Sequence, residues 1–246
     1  MKLLRKILGE QTDIIQWIDD SQDTLVWRFE RYGNEIKYGA KLTVRESQVA
    51  IFVNEGEIAD VISPGMYELE TGNLPLLSTL QGWHYGFESP IKSEIYFCST
   101  KQFVDVKWGT RKPVMVRDDE LGPVRVRAFG NFSFRIEDPS RLIKEISGTD
   151  GHFILQEIQG ELKTLISAKF SNIISNNEEP VLDLTSHIPE FEEQLLSQSS
   201  NEFCQYGLKL IRVIVENISL PHSVENTIDT LTGNRFAIPD KAEPIR

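Results

Sequence analysis

Residues 123–139 read Pro-Val-Arg-Val-Arg-Ala-Phe-Gly-Asn-Phe-Ser-Phe-Arg-Ile-Glu-Asp-Pro, and their alternation decides the fold. Val124, Val126, Ala128, Gly130, Phe132, Phe134 and Ile136 share one phase; Arg125, Arg127, Phe129, Asn131, Ser133 and Arg135 share the other. Successive strand side chains point to opposite faces, so this pattern predicts one long strand with an apolar face and a largely polar one. Asp138-Pro139 then closes it. Aspartate can cap free amides and proline suits a first helical turn, which predicts a short helix over residues 140–146.

Upstream, the same period recurs in shorter pieces. A first strand is expected over residues 25–29 and a longer one over 41–53, where Val49, Ile51 and Val53 share a face. Asn54-Glu55-Gly56-Glu57 supplies a turn and residues 58–62 return as the partner strand. Ser63-Pro64-Gly65 signals a tight turn before a strand over 66–69. Glycine, proline and scattered aromatics over 71–93 read as an irregular excursion. Strands follow over 94–99, 102–108 and 114–117, with a turn at 118–123 before the long strand.

After Thr149 the period changes. Ile154, Ile158, Leu162, Leu165, Ile166, Phe170, Ile173 and Ile174 recur every three to four residues, which predicts an amphipathic helix of about six turns. Ile188, Phe191, Leu195, Leu196 and Phe203 mark a second helix, with Gly207 placed to cap it. A closing strand is expected over 208–218, with Ile211, Val213 and Val215 on one face. The fold class is therefore α+β: a mostly antiparallel strand meander, then two packed amphipathic helices and a closing strand. The expected divisions are an N-terminal amphipathic helix within residues 1–24, a main domain over 25–224 and a poorly ordered tail over 225–246.

At the N-terminus, Leu3, Leu4, Ile7, Leu8, Ile14, Ile15 and Ile18 cluster at helical spacings, behind the positive charges of Lys2, Arg5 and Lys6. With Trp17 as an interfacial ring, such a helix suits a membrane surface, its cations near lipid phosphates. Packing against its own domain or a neighbouring subunit remains the alternative.

The net charge of −11 argues against a nonspecific grip on nucleic acid. That charge is uneven. Residues 150–206 hold ten acids against two lysines, a net of −8, whereas residues 101–135 hold eight basic and four acidic residues, a net of +4. Two solvated faces explain this; so does head-to-tail self-assembly of an acidic element on a basic sheet. Arg125, Arg127 and Arg135 share the polar phase of the long strand, about 7 Å apart per two-residue step. They suit lipid phosphates or an acidic partner, or cross-strand pairing with acids such as Asp105.

The chemistry of a reaction centre is not visible. His84, His152, His187 and His222 form no i, i+4 pair, and the sequence has no GxSxG, P-loop or GxGxxG. No metal, cofactor or small-molecule substrate is expected. The acids at 118–120, 178–179 and 192–193 read as solvated. Cys98 and Cys204 read as buried reduced thiols, in keeping with an intracellular compartment. No run of eighteen apolar residues exists, and Arg5 and Lys6 break the run after Lys2, so neither a spanning helix nor a signal peptide is expected.

Four stretches in order carry a resemblance. They are residues 44–57, Val-Arg-Glu-Ser-Gln-Val-Ala-Ile-Phe-Val-Asn-Glu-Gly-Glu; Ser63-Pro64-Gly65-Met66-Tyr67; residues 132–139, ending in Asp138-Pro139; and Tyr206-Gly207-Leu208 running on to Ile218-Ser219-Leu220-Pro221. Together they resemble the stomatin/prohibitin/flotillin/HflK-C (SPFH, or band-7) superfamily, closest to a bacterial branch described as virion core protein-like. Within these residues the pattern departs from it: no spanning helix is expected before the domain and no long coiled coil after it, and two cysteines cannot supply that branch's zinc ribbon. The resemblance implies a non-enzymatic, homo-oligomeric scaffold, peripheral on the cytoplasmic face of the membrane, recruiting proteins that include membrane-stress partners of the phage-shock type. A soluble protein-binding module without membrane contact is the alternative. An enzyme would need a histidine and acids gathered by the fold.

Overall fold

The alternation of residues 124–136 becomes a 15-residue strand, Gly122–Ile136, in the computed structural model of the chain. Residues 13–30, 35–36, 39–54, 56–69, 91–177, 180–221 and 224 are described. Thirteen strands run through them: β1 (Ile14–Gln16), β2 (Thr24–Arg28), β3 (Glu35–Ile36), β4 (Ala40–Val44), β5 (Gln48–Asn54), β6 (Glu57–Ile62), β7 (Gly65–Leu69), β8 (Ile91–Ser99), β9 (Gln102–Gly109), β10 (Val114–Asp118), β11 (Gly122–Ile136), β12 (His152–Ile154) and β13 (Leu208–Ser219). The helices are α1 (Pro139–Leu142), continued by a π turn over Ile143–Ser147, then α2 (Leu155–Ser175) and α3 (Ile188–Gln205). Antiparallel pairing dominates and the helices come late, as an α+β chain requires.

The backbone divides into two compact units: Met1–Val104, Ser133–Gly160 and Ser200–Ile211 in the first, and Asp105–Phe132, Glu161–Ser199 and Arg212–Arg246 in the second. β9, β11, β13, α2 and α3 run from one into the other.

The first unit holds two sheets. One is ordered β1-β4-β7, with β1 parallel to β4 and β7 antiparallel to it. The other is ordered β12-β2-β8-β5-β6, with β3 also on β8. Ile15, Leu42, Val44 and Leu69 from the first sheet, with Trp17 just past the end of β1, share a buried cluster with Ala50, Phe52, Ile62, Ile95 and Phe97 from the second. Burying such side chains contributes about 1.5–3 kcal/mol each. Trp17 stacks on Trp27 with ring centroids 6.2 Å apart, and Trp27 also meets Phe97 at 6.0 Å.

Two remote motifs lock together in this unit. Asp138 Oδ1 accepts the Arg141 amide at 3.0 Å and caps α1, whose first residue is Pro139. The amides of Glu137 and Asp138 both donate to the Gly207 carbonyl at 3.0 Å. Gly207 has φ +75°, and a Cβ there would collide with the Asp138 carbonyl oxygen. Only glycine satisfies both the backbone angle and the close approach.

The second unit is a sheet layered with helices. β10 pairs with β11 in antiparallel register, Val114 opposite Val126 and Met115 opposite Arg125. On the apolar face Val116, Val124, Val126, Ala128 and Phe132 are buried. Leu162, Ile166 and Phe170 of α2 and Phe191 and Leu195 of α3 are buried too. The Trp108 and Phe170 rings lie 5.4 Å apart, and Ser167 Oγ donates to the Gly109 carbonyl at 2.9 Å. Gly130 lets β11 approach β13 so closely that a Cβ would strike the Ile214 carbonyl.

Four expectations need correction. The stretch 41–53 is two strands in different sheets, broken by the exposed turn Arg45-Glu46-Ser47, where the Gln48 amide donates to the Arg45 carbonyl at 2.9 Å. Ile14–Gln16, read as helix, is a strand beside Lys41–Thr43. Its burial alternates from exposed Ile14 through buried Ile15 and Trp17 to exposed Ile18, a period of two that a helix does not produce. His152–Ile154 is a short strand on β2, so the long helix starts at Leu155. In β13 the alternation slips at Ile211-Arg212: Leu208, Leu210, Val213, Val215 and Ile218 are buried while Ile211 is half-buried. Residues 1–12 of the expected N-terminal helix, residues 71–90 of the excursion expected over 71–93 and the tail over 225–246 lie outside the described residues, while residues 91–93 of that excursion are strand and open β8.

Candidate interaction surfaces

The strand phases that build the cores also decide what reaches the solvent. On the outer face of the three-stranded sheet, Ile14 stands beside Lys41 and Lys41 beside Glu68; in the next row Gln16 stands beside Thr43 and Thr43 beside Met66. Ile14 is 59 % exposed, Ile18 65 % and Met66 72 %. Arg45 reaches this face, its Nη2 donating to Gln16 Oε1 at 3.5 Å. Ile14 and Ile18, at the start of the described chain, thus share this face with Met66, Lys41, Arg45 and Glu68. Trp17, expected at a membrane interface, is instead 6 % exposed and belongs to the core of its unit. Leu3, Leu4, Ile7, Leu8, Lys2, Arg5 and Lys6 lie outside the described residues.

The second surface is the outer face of the second unit's sheet. Arg117, Arg125 and Arg127 are exposed there, and among the described residues none of the three has an ion-pair partner. Met115, opposite Arg125, is 49 % exposed and Phe129 is 48 % exposed. Asp105 does not pair with these arginines. It binds Lys107 at 2.8 Å, and Lys107 also meets Glu216 at 3.0 Å. Asn131 donates to the same Glu216 oxygen at 2.7 Å. Bonds from Lys107 and then Asn131 hold the Glu216 carboxyl below its usual range. This end of the face is neutralised internally, and the arginine end is not.

Arg135 belongs to the first unit and has local company. Its Nη2 donates to Glu137 Oε1 at 3.2 Å, and Lys209 Nζ donates to the same oxygen at 2.9 Å. Lys209, then Arg135, keep the Glu137 carboxyl below its ordinary value. The structure thus groups Arg125 and Arg127 with Met115 and Phe129, and places Arg135 in a separate cluster.

Asp118, read as a solvated acid, is buried. Its Oδ1 accepts the Glu120 and Leu121 amides at 2.9 and 2.7 Å, and its Oδ2 accepts the Val181 amide at 2.8 Å. These bonds, Val181's foremost, lower its carboxyl below the usual range. The Asp-x-x-Leu-Gly spacing of a turn was the available signal; the reach to Val181 was not readable.

A cavity of about 540 Å³ opens in the first unit beside Glu57, Glu94, Tyr96, Ile143 and Lys144. Tyr96 OH donates to Glu94 Oε2 at 3.1 Å, and Arg28 Nη1 to Glu94 Oε1 at 3.2 Å. Burial, then the neighbouring Glu94 charge, raise the Tyr96 phenol. The described residues lining it include no histidine. His152 is exposed, and His187 Nδ1 lies 3.0 Å from the Asp183 carbonyl oxygen. Cys98 is buried, which pushes its thiol up, but Cys204 is exposed rather than buried. No cluster of three His, Cys, Asp or Glu that could hold a metal occurs among the described residues. None of their helices is long and apolar enough to cross a membrane.

Two of the motifs quoted from the sequence, Asp138-Pro139 and Tyr206-Gly207, meet in this chain, and the SPFH domain-Band 7 family profile matches residues 26–236. The chain belongs to that family. Its members are generally membrane-associated scaffolds. An uncharacterized protein of Bacillus subtilis (strain 168), YdjI, is 24% identical over 222 residues, covering 89% of this chain and 68% of YdjI.

Proposed function

We propose that this SPFH protein is a non-enzymatic scaffold that lies on the cytoplasmic face of the membrane, assembles with copies of itself and recruits partner proteins there. The observation that carries the membrane part is the outer strip of the first unit, Ile14, Ile18 and Met66 with Lys41 and Arg45. Exposed aliphatic side chains gain by entering the acyl boundary while neighbouring cations stay among phosphates. Recruitment of membrane-stress proteins of the phage-shock type is the finer expectation that the resemblance carries.

Vesicle flotation tests this reading. The intact chain is expected to float with vesicles containing anionic lipid, and Ile14→Ser/Ile18→Ser/Met66→Ser to float at least fivefold less at unchanged helix and strand content. Equal flotation of the two removes the strip from the account. A second reading, a soluble protein-binding module, draws support from Ile15 and Trp17, whose burial ties the N-terminal segment to its own unit. Flotation of neither protein favours that module.

A further inference from the structure

The second unit, taken by itself, has two outward faces of opposite charge. Its sheet presents Arg117, Arg125 and Arg127, exposed and without an ion-pair partner among the described residues, beside the half-exposed Met115 and Phe129. Its helix layer turns Phe191 and Leu195 inward and leaves Glu190 and Glu193 of α3, with Asp183 just before it, in solvent. These acids likewise have no ion-pair partner among the described residues. Glu192, between them, is used inside the unit: its Oε1 accepts the Val215 amide at 2.9 Å and so anchors α3 to β13. The acidic side of α3 is thereby fixed outward.

Sheet and helices lie back to back, so the two charged faces of one copy point away from each other and cannot neutralise themselves. In successive copies they can. We propose that the arginine face of β10 and β11 in one copy docks on the acidic face of α3 in a second copy, a heterologous head-to-tail contact. This rests on the self-assembly in the proposed function and names the surfaces that make it. A second copy fits better than a small ligand because the charges are spread along an open face rather than gathered in a cleft. Arginine interleaved with Phe129 and Met115 has the composition of an interface centre, where guanidinium groups pair with carboxylates in fixed geometry and the apolar side chains lose water. Arg117, Arg125 and Arg127 on one face against Asp183, Glu190 and Glu193 on the other supply the complementarity.

A charge swap tests it. Arg125→Glu/Arg127→Glu and Glu190→Lys/Glu193→Lys change only exposed side chains, and unchanged thermal unfolding checks that both variants fold. Each alone is expected to associate at least tenfold more weakly than the wild type in sedimentation. Mixed one to one they should reassemble, because the reversed sheet then meets the reversed helix and the two wild-type faces meet each other. Either variant assembling like the wild type, or a mixture that stays dispersed, overturns the proposal. Loss of vesicle flotation in the arginine variant with its mass unchanged also overturns it and assigns the face to lipid phosphate. A wild type that never associates refutes the self-assembly reading itself, a different result from assembly that ignores the swap.

Discussion

Asp118 shows how much one carboxylate can organise. It closes the turn between β10 and β11 and ties down the Val181 amide, and hydrogen bonds to a charged group contribute about 1.5–3 kcal/mol each. Asp118→Ala is expected to cost about 3 kcal/mol, measured by urea unfolding. The pH dependence follows from the lowered folded-state value. A depressed carboxylate stabilises the fold above its unfolded value, near 4, and loses that contribution as pH falls through the lower folded value. The stability gap between wild type and Asp118→Asn should therefore be full at neutral pH and close below about pH 4. A gap constant across that range would show that the charge of Asp118 does nothing for the fold. Trp17 is the apolar counterpart: Trp17→Ala should cost about 3–5 kcal/mol if the ring is core, and almost nothing if it faces lipid or water.

Among elements, the Gly207 corner is the clearest joint. It joins the end of α3 to the Asp138-Pro139 cap through two bonds to one carbonyl. Gly207→Ala adds a strained positive φ and a collision with the Asp138 carbonyl, so a loss of about 2 kcal/mol or more is expected in chemical denaturation. A neutral substitution would mean that the corner relaxes without loss. At this scale the sequence was readable where one period ruled. Residues 124–136 alternate without interruption, and Leu162, Ile166, Phe170 and Ile173 repeat at helical steps, so β11 and α2 emerge within a residue or two of their bounds. Ile14, Ile15 and Ile18 satisfy helical and strand spacing equally. What made them a strand was pairing with Lys41–Thr43, a parallel contact without a local signal. The break at Arg45-Glu46-Ser47 lacks glycine and proline, and its charged residues looked like the outward phase of a continuing strand.

On the scale of the whole molecule, exposed faces are what the fold adds to the sequence. Arg125 and Arg127 could be placed on one strand face from sequence, but that the nearby acids Asp105 and Glu216 go to Lys107 rather than to them needed the fold. The exposed strip of Ile14, Ile18 and Met66 needed a sheet to bring β1 and β7 to either side of β4. Neither face holds groups set to move a proton or an electron pair; both hold groups suited to docking. The most direct test is the mass in solution, by light scattering over a hundredfold range of protein concentration and at two ionic strengths. Mass should rise well above the 28.1 kDa of one chain with concentration at about 0.15 M salt, and fall back toward it near 1 M, where charge pairs are screened within about 3 Å. A mass of one chain under every condition would contradict the claim that this chain works by assembling.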